Sequence, residues 1–454
     1  MKTITLGELR DAHARKFSAV LGAEERSLGP ECEFPIVKAQ GHALTLDEVR
    51  RIFAIIGGAE GWELKPSGLE AENVKYTGIF PPELHIETGY STVEVGLPPS
   101  FNTGQLYEFL YTHIPVLVGA SAAVGGHVLG YGVHPLTPPG PDLYSVLPRS
   151  RAIQALRGRF STKVMEDHSD IATTVIASVQ AQIASRGKAD VIMLSDMLNG
   201  FAPEFLVFTA NSRIAGGFDT GRADTRTMFY EKHQSTRAGI APRFGTFDNY
   251  FDNLLNMPVL IINRGGKLAS VSEDITLRGF VYRKIKGIPT LAKLPDGQEM
   301  HVYFEEGDID TVETTVRYDS RIKGAAGTIE VRTPSEQQSP ERIAEFAAVA
   351  RGLSINWEEG YSFATSRSVA DTTIAKGDVA YNGPSKRPDV VARALSMIEI
   401  AYDGLRAAAD REGMDALKRL YARVRRAEAP SEQTAPVFLN EGMEAFVNAV
   451  RFQI

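Results

Sequence analysis

The sequence predicts an α+β fold built on a curved sheet with one wet, functional face, together with long amphipathic helices. Two observations predict the sheet. Several segments alternate apolar and polar residues with a period of two, so each has a core side and an open side. Those open sides also carry amides, hydroxyls, carboxylates and guanidinium groups where a plain solvent face would show mostly Lys and Glu. A third observation predicts the helices: elsewhere apolar residues recur at helical spacing behind recognisable start signals. A single strand of this kind reads more readily as one wet side of an ordinary antiparallel sheet, and it is the kind of residue, repeated over several strands, that favours the functional face.

In chain order, Glu31 and Glu33 share one strand face with Cys32 and Phe34 behind them. Thr45 and Glu48 form a capping box ahead of Val49, Ile52, Phe53 and Ile56, one helical stripe. Within Ser91 to Val95, Glu94 stands on the polar side beside Thr92. Thr174 to Ile183 reads as a strand with Val175, Ala177, Val179, Ala181 and Ile183 on one face and Ser178, Gln180 and Gln182 on the other. In Thr328 to Thr333, Ile329 and Val331 oppose Thr328, Glu330 and Arg332. Ser339-Pro340 opens a helix with Ile343, Phe346, Ala347, Ala350 and Leu353 inward. A further helix starts near Pro388, turns Val391, Leu395, Ile398 and Leu405 inward, and is expected to stop at Gly413.

The 454 residues, 43% of them hydrophobic, suffice for one large domain or two without disulfide staples. A lone cysteine, Cys32, permits no internal disulfide and suits a reducing cytoplasm. The start, MKTITLGELRDAHARK, lacks the continuous apolar run of a signal peptide. From Ile114 to Gly140 no Asp, Glu, Lys or Arg occurs, but Gly119, Gly125, Gly126, Gly130 and Gly132 with His127, His134 and Pro135 fit a buried helix end, a turn and an inner strand rather than a membrane span. A net charge of -7 argues against a nucleic-acid partner, and the basic run Lys418 to Arg426 reads as a solvated helix face.

Four carboxylates, Glu31, Glu33, Glu94 and Glu330, sit on strand segments among apolar neighbours. Gathering them costs repulsion unless cations intervene. All are hard oxygen donors, and HxH, HExxH and CxxC are absent, so Mg²⁺, or Mn²⁺, is favoured over zinc. Magnesium in turn points to phosphate and a nucleotide. Arg226, Arg237, Arg317, Arg321 and Arg332 are forks for phosphoryl or carboxylate oxygens, although any one alone is as readily a surface ion-pair residue. There is no GxxxxGK[ST], GxGxxG or GxSxG, so P-loop, dinucleotide and α/β-hydrolase readings lose their support.

Gly29-Pro30-Glu31-Cys32-Glu33-Phe34, Ser91-Thr92-Val93-Glu94, Gly132-Val133-His134-Pro135, Ser178-Val179-Gln180 and Ala210-Asn211-Ser212 occur in that order. Arg226, Arg237-Ala238-Gly239, Arg317-Tyr318-Asp319-Ser320-Arg321 and Gly327-Thr328-Ile329-Glu330-Val331-Arg332 follow. This series resembles the carboxylate-amine ligases of the type-two glutamate-cysteine ligase kind, in the glutamine synthetase superfamily. The likeness covers about residues 25 to 355, and Arg213 stands where the family usually has proline. It implies a glutamine synthetase-like funnel, an antiparallel sheet with helices outside, and one catalytic domain over residues 1–454 whose residues 355–454 are a less defined helical part.

The resemblance also implies a reaction. Mg²⁺ held by Glu31, Glu33, Glu94 and Glu330 bridges ATP phosphates, and a carboxylic acid, expected to be glutamate, becomes an acyl phosphate that an amine then displaces. Arg321, Arg332 and Arg226 are the expected catalytic cations; Ser178, Gln180, Asn211, Arg237 and Arg317 the expected nucleotide contacts. The amine and the oligomeric state stay open. Two alternatives remain, a guanidino-type phosphotransferase and a non-catalytic binding relative. Glu330→Gln is expected to stop turnover with little loss of folding.

Overall fold

The structure, a computed structural model, describes residues 5–18, 20–155, 172–232 and 237–454. Its largest sheet has nine strands: β1 (Leu28–Val37), β2 (Trp62–Leu64), β3 (Glu70–Asn73), β4 (Glu83–Ile86), β5 (Thr92–Gly96), β6 (His127–Val128), β7 (Val179–Ala184), β8 (Ser320–Lys323) and β9 (Thr328–Val331). They lie in the order β8-β9-β7-β1-β5-β4-β3-β2, with β6 also paired to β1. Each of these pairings is antiparallel.

The period of two does what the alternation requires. Cys32, Phe34, Val93, Val95, Val179, Ala181, Ile183, Ile329 and Val331 are fully buried on one face. They join Leu194 and Leu198 of the Lys188–Gly200 helix and Ile343, Phe346 and Ala350 of the Pro340–Ile355 helix in one core. Burying each large side chain contributes about 1.5–3 kcal/mol. The opposite face is left to the polar residues. The capping-box helix forms over Leu46–Gly57, with Val49, Ile52, Phe53 and Ile56 buried. From Ile114, the Thr103–Ala123 helix ends, Gly125 turns with φ 72°, and β6 follows, as the glycine pattern implies.

Two expectations need correction. The strand expected from Thr174 begins only at Val179, because the residues before it pair elsewhere. His134 donates its backbone N–H to Val175 at 2.9 Å, and Ala177 donates to Gly132 at 3.0 Å. The alternation there is real, but its partner is the Gly132–His134 loop and not the sheet. The Pro388 helix stops at Ala407, where Ala409 adopts φ 55°. Gly413 instead lies inside the next helix, Arg411–Val424, donating to its cap Asp410 at 3.0 Å. A Cβ at Gly413 would lie 2.7 Å from Thr103 Oγ1, so the glycine serves close packing and not helix termination.

The sequence did not suggest the four-stranded antiparallel sheet of Ile261–Arg264, Lys267–Val271, Thr290–Lys293 and Glu299–Val302. Beyond residue 355 the chain is helical, and its end returns to the main sheet. Phe452 donates its N–H to Val128 at 2.9 Å, and its ring meets Phe34 with centroids 4.9 Å apart. Among the described residues no single helix is long and apolar enough to cross a membrane; one bent pair, Lys188–Gly200 with Ala202–Thr209, is so by length and composition.

Candidate active site

The register lines up the polar face. Glu33 lies opposite Glu94, which lies opposite His85, while Glu31 faces Gln180, and Glu330 sits between Gln182 and Arg321. A cavity of about 660 Å³ covers this face, lined by Glu31, Glu33, His85, Glu87, Glu94 and Gln180 on one side and Arg149, Arg317, Arg321, Lys323 and Arg332 on the other. A second, more apolar cavity of about 770 Å³ adjoins it and shares Glu31. Its walls include Val20, Leu21, Phe80, Pro81, Leu97, Ala325 and Ala326.

At the acidic end, Glu33 accepts hydrogen bonds from the Ser178 N–H (2.7 Å), the Ser178 hydroxyl (2.8 Å) and the Gln180 amide (2.6 Å). Burial, with Glu87 adding repulsion, still pushes its carboxyl up to about 7. Glu94 lies 3.3 Å from His85 Nε2. Burial, followed by the charge of Glu31, raises Glu94 to about 8. His85 feels burial in the opposite sense, but Glu94, Glu87 and Glu31 outweigh it and lift the imidazole to about 10.

The basic end shows the reverse. Glu330, fully buried, has Arg321 Nε at 2.7 Å, Arg332 Nη1 at 2.5 Å and Lys323 Nζ at 2.9 Å. Burial alone would raise this carboxyl; the three cations hold it well below the usual carboxylate range. Arg332 also donates to Gln180, and Gln182 to Glu31, so the two ends are tied together across β7.

The structure thus gathers on one face most of the residues singled out above, but not in one cage. Ligand atoms of His85, Glu87 and Glu94 lie within 4.8 Å of one another, and of these only Glu94 belonged to the expected metal set. Glu33 and Glu94, raised chiefly by burial with repulsion added, are what a divalent cation would neutralise, while Glu87 beside His85 is held below its ordinary value, so this end fits a metal. Glu330 stands apart from the other three glutamates of the expected set, its oxygens facing three cations.

Three further corrections concern residues outside the cavity lining. Asn211 is fully buried and donates its amide to the carbonyls of Gly130 and Glu336, each at 2.8 Å. Arg226 donates to the carbonyls of Thr333 (3.0 Å) and Arg332 (3.1 Å), bracing Arg332 from behind. Arg237 donates to Thr315 Oγ1 at 2.6 Å and to the Pro258 carbonyl, and burial lowers it to about 10. All three hold the backbone that carries the site. Sequence reasoning missed His85, Glu87, Arg149 and Lys323. Lys323 lies two residues beyond Arg321 on β8, whereas Arg149 arrives on the separate Pro148–Ala155 helix.

Comparison with known proteins agrees with this geometry. The profile of glutamate-cysteine ligase family 2 matches residues 27–373. The chain belongs to that family. Membership in glutamate-cysteine ligase family 2 carries the reaction class, an ATP-dependent amide-forming ligase, and disfavours the phosphotransferase and silent-relative readings. A glutamate-cysteine ligase of Haloferax volcanii is 24% identical over 409 residues, covering 87% of this chain and 91% of that protein. The crystal structure of a Francisella tularensis glutamate-cysteine ligase in complex with AMP superposes with a TM-score of 0.52 at 11% identity, over 96% of this chain and 88% of that one. A bifunctional glutathione synthetase from Pasteurella multocida superposes with a TM-score of 0.50 at 13% identity, over 97% of this chain and 52% of that one. At such identities the two structures speak for the shared fold alone.

Proposed function

We propose that the protein joins the side-chain carboxylate of an acidic amino acid, glutamate by preference, to an amine, using ATP and Mg²⁺ in one catalytic unit that includes the C-terminal helices. The observation that carries this reading is the meeting of two unlike cavities at Glu31, one apolar and one lined by carboxylates and guanidinium groups. The apolar cavity suits an adenosine between Leu21 and Phe80, and its phosphates would then point along Glu31 toward the arginines. The polar sheet face would work as a glutamine synthetase-like funnel between the two.

The chain's own groups account for the steps. Arg317, Arg321 and Arg332 line the polar cavity, where a guanidinium fork can hold a substrate carboxylate and balance charge moving onto the transferred phosphoryl group. Magnesium held by Glu33, Glu94, Glu87 and His85, with Glu31 beside it, would supply Lewis-acid stabilisation of the phosphates. Gln180 and Ser178 fix the Glu33 carboxylate through three hydrogen bonds. A recessed cavity would also limit the access of water to an acyl phosphate until an amine displaces phosphate.

Incubation with ATP, Mg²⁺, glutamate and a panel of amines that includes cysteine tests this. ADP, free phosphate and a new amide mass should appear in equal amounts and only when both substrates are present. A stable phosphorylated product without amide would overturn the proposal.

A further inference from the structure

The wall of the apolar cavity includes a part of the chain that the family profile does not reach. Lys16, Val20 and Leu21, all before residue 27, face Ala325 and Ala326 of the turn between β8 and β9. This turn runs from Gly324 to Gly327, and the strands it joins carry Arg321, Lys323 and Glu330. Whatever fixes the turn therefore fixes the apolar wall.

The turn is gripped from the N-terminal side with little tolerance. The Leu6–Arg15 helix is set by a capping box of Thr5 and Glu8, and it presents His13 inward. The His13 ring lies among Phe17, Phe247, Tyr250 and Phe251, with centroids 5.8 to 6.2 Å away. Its Nε2 is 3.2 Å from Glu313 Oε1, which also accepts the Tyr250 hydroxyl proton. The other Glu313 oxygen accepts the backbone N–H of Gly324. A Cβ at Gly324 would stand 2.4 Å from His13 Cε1 and 2.9 Å from Glu313 Oε2, so only glycine permits this approach. At the far end of the turn Gly327, with φ 68°, would place a Cβ 2.4 Å from Val20 and 2.9 Å from the Lys16 carbonyl. Ser185 completes the grip by donating its hydroxyl to the Gly327 carbonyl at 2.7 Å.

From this we infer that the N-terminal helix is a positioning element for the nucleotide, with His13 acting through Glu313 to hold the Gly324–Gly327 turn in the shape of the apolar pocket. The inference rests on the reading that ATP occupies that cavity. His13 touches no substrate; it is a positioning residue, and its effect reaches the base of the nucleotide before it reaches the acid or the amine.

The test uses the full chain and titrates ATP binding directly by calorimetry, alongside the KM for each substrate. His13→Leu should weaken ATP about tenfold, the usual consequence of losing one buried hydrogen bond to a charged group, while the KM values for glutamate and amine stay unchanged. His13→Gln, which keeps a donor toward Glu313, should restore most of the ATP affinity. Glu313→Asp, one methylene short of Gly324, should reproduce the ATP-specific loss, and it carries the test if His13→Leu does not fold. Ala326→Trp is the control for the cavity itself, since this exposed alanine lines it. Should Ala326→Trp leave ATP binding intact, the nucleotide lies elsewhere and the underlying reading fails. Should it abolish ATP binding while His13→Leu and Glu313→Asp leave ATP affinity unchanged, or move every KM together with the melting temperature, the helix is a structural brace and the positioning role is overturned.

Discussion

Glu94 and Glu330 are the same side chain on the same sheet face, yet their surroundings drive them in opposite directions. Glu94 is buried beside Glu31, Glu87 and His85, and burial, followed by the charge of Glu31, pushes its carboxyl up to about 8. Glu330 is buried among Arg321, Arg332 and Lys323 and stays ionised far into acid. The acidic end is short of positive charge and the basic end already has it. What the difference teaches is that carboxylates of like placement are driven toward opposite charge states by the cations the fold supplies, which no single-strand pattern reveals.

The largest effect should come from breaking the saturated end. Glu330→Gln leaves three cations facing a neutral amide, and breaking a buried pair of this kind costs about 3–5 kcal/mol. This reverses the sequence expectation that folding would survive intact. A fall in melting temperature of several degrees, with turnover lost at the same time, is the expected outcome; an unchanged melting temperature would show that the cations are already compensated elsewhere. At the other end Glu94→Gln should cost about 10²–10³ in kcat, a loss like that of one preorganised electrostatic group, without lowering stability.

The stability of the metal-free protein should separate the two ends by pH. A folded-state pKa raised above its unfolded value, as for Glu33 at about 7 and Glu94 at about 8, gives stability that is complete below pH 4 and is lost as pH rises toward 8. Glu330, with its depressed pKa, contributes the reverse, stability present above pH 5 and lost in acid. Chelator-treated protein should therefore melt at falling temperature from pH 5 to pH 8, and Glu94→Gln should flatten that slope while adding Mg²⁺ to the unaltered protein does the same. A slope left unchanged in Glu94→Gln would assign the proton uptake to Glu33 and other groups.

Much of this division was legible in the sequence, and the part that was not has a physical reason. The period of two put Glu31, Glu33, Glu94, Gln180 and Arg332 on faces that the register then joined, because a one-residue slip would bury them all. Asn211, Arg226 and Arg237 carried the right chemistry for ligand contact, but hydrogen bonding to buried carbonyls uses the same donors, and only the tertiary neighbours decide between the two. His85 lay in a four-residue strand too short to show alternation. Glu313 and His13 are 300 residues apart and meet only once the fold exists.

The smallest predicted effect is also the most selective. Among the described donors at the acidic end only His85 offers nitrogen, and nitrogen favours Mn²⁺ over Mg²⁺ more than oxygen does. His85→Asn exchanges that nitrogen for an amide and removes the charge next to Glu94. The ratio of Mn²⁺-supported to Mg²⁺-supported turnover should then fall by several-fold, about 1 kcal/mol of preference, while the Mg²⁺ rate changes little. Lys323→Met supplies the comparison at the basic end, where it removes one of three cations from Glu330 and should weaken both metal-supported rates alike. An unchanged ratio in His85→Asn would mean that the imidazole serves Glu94 only as a counter-charge, and the acidic end would then bind its ion through carboxylates alone.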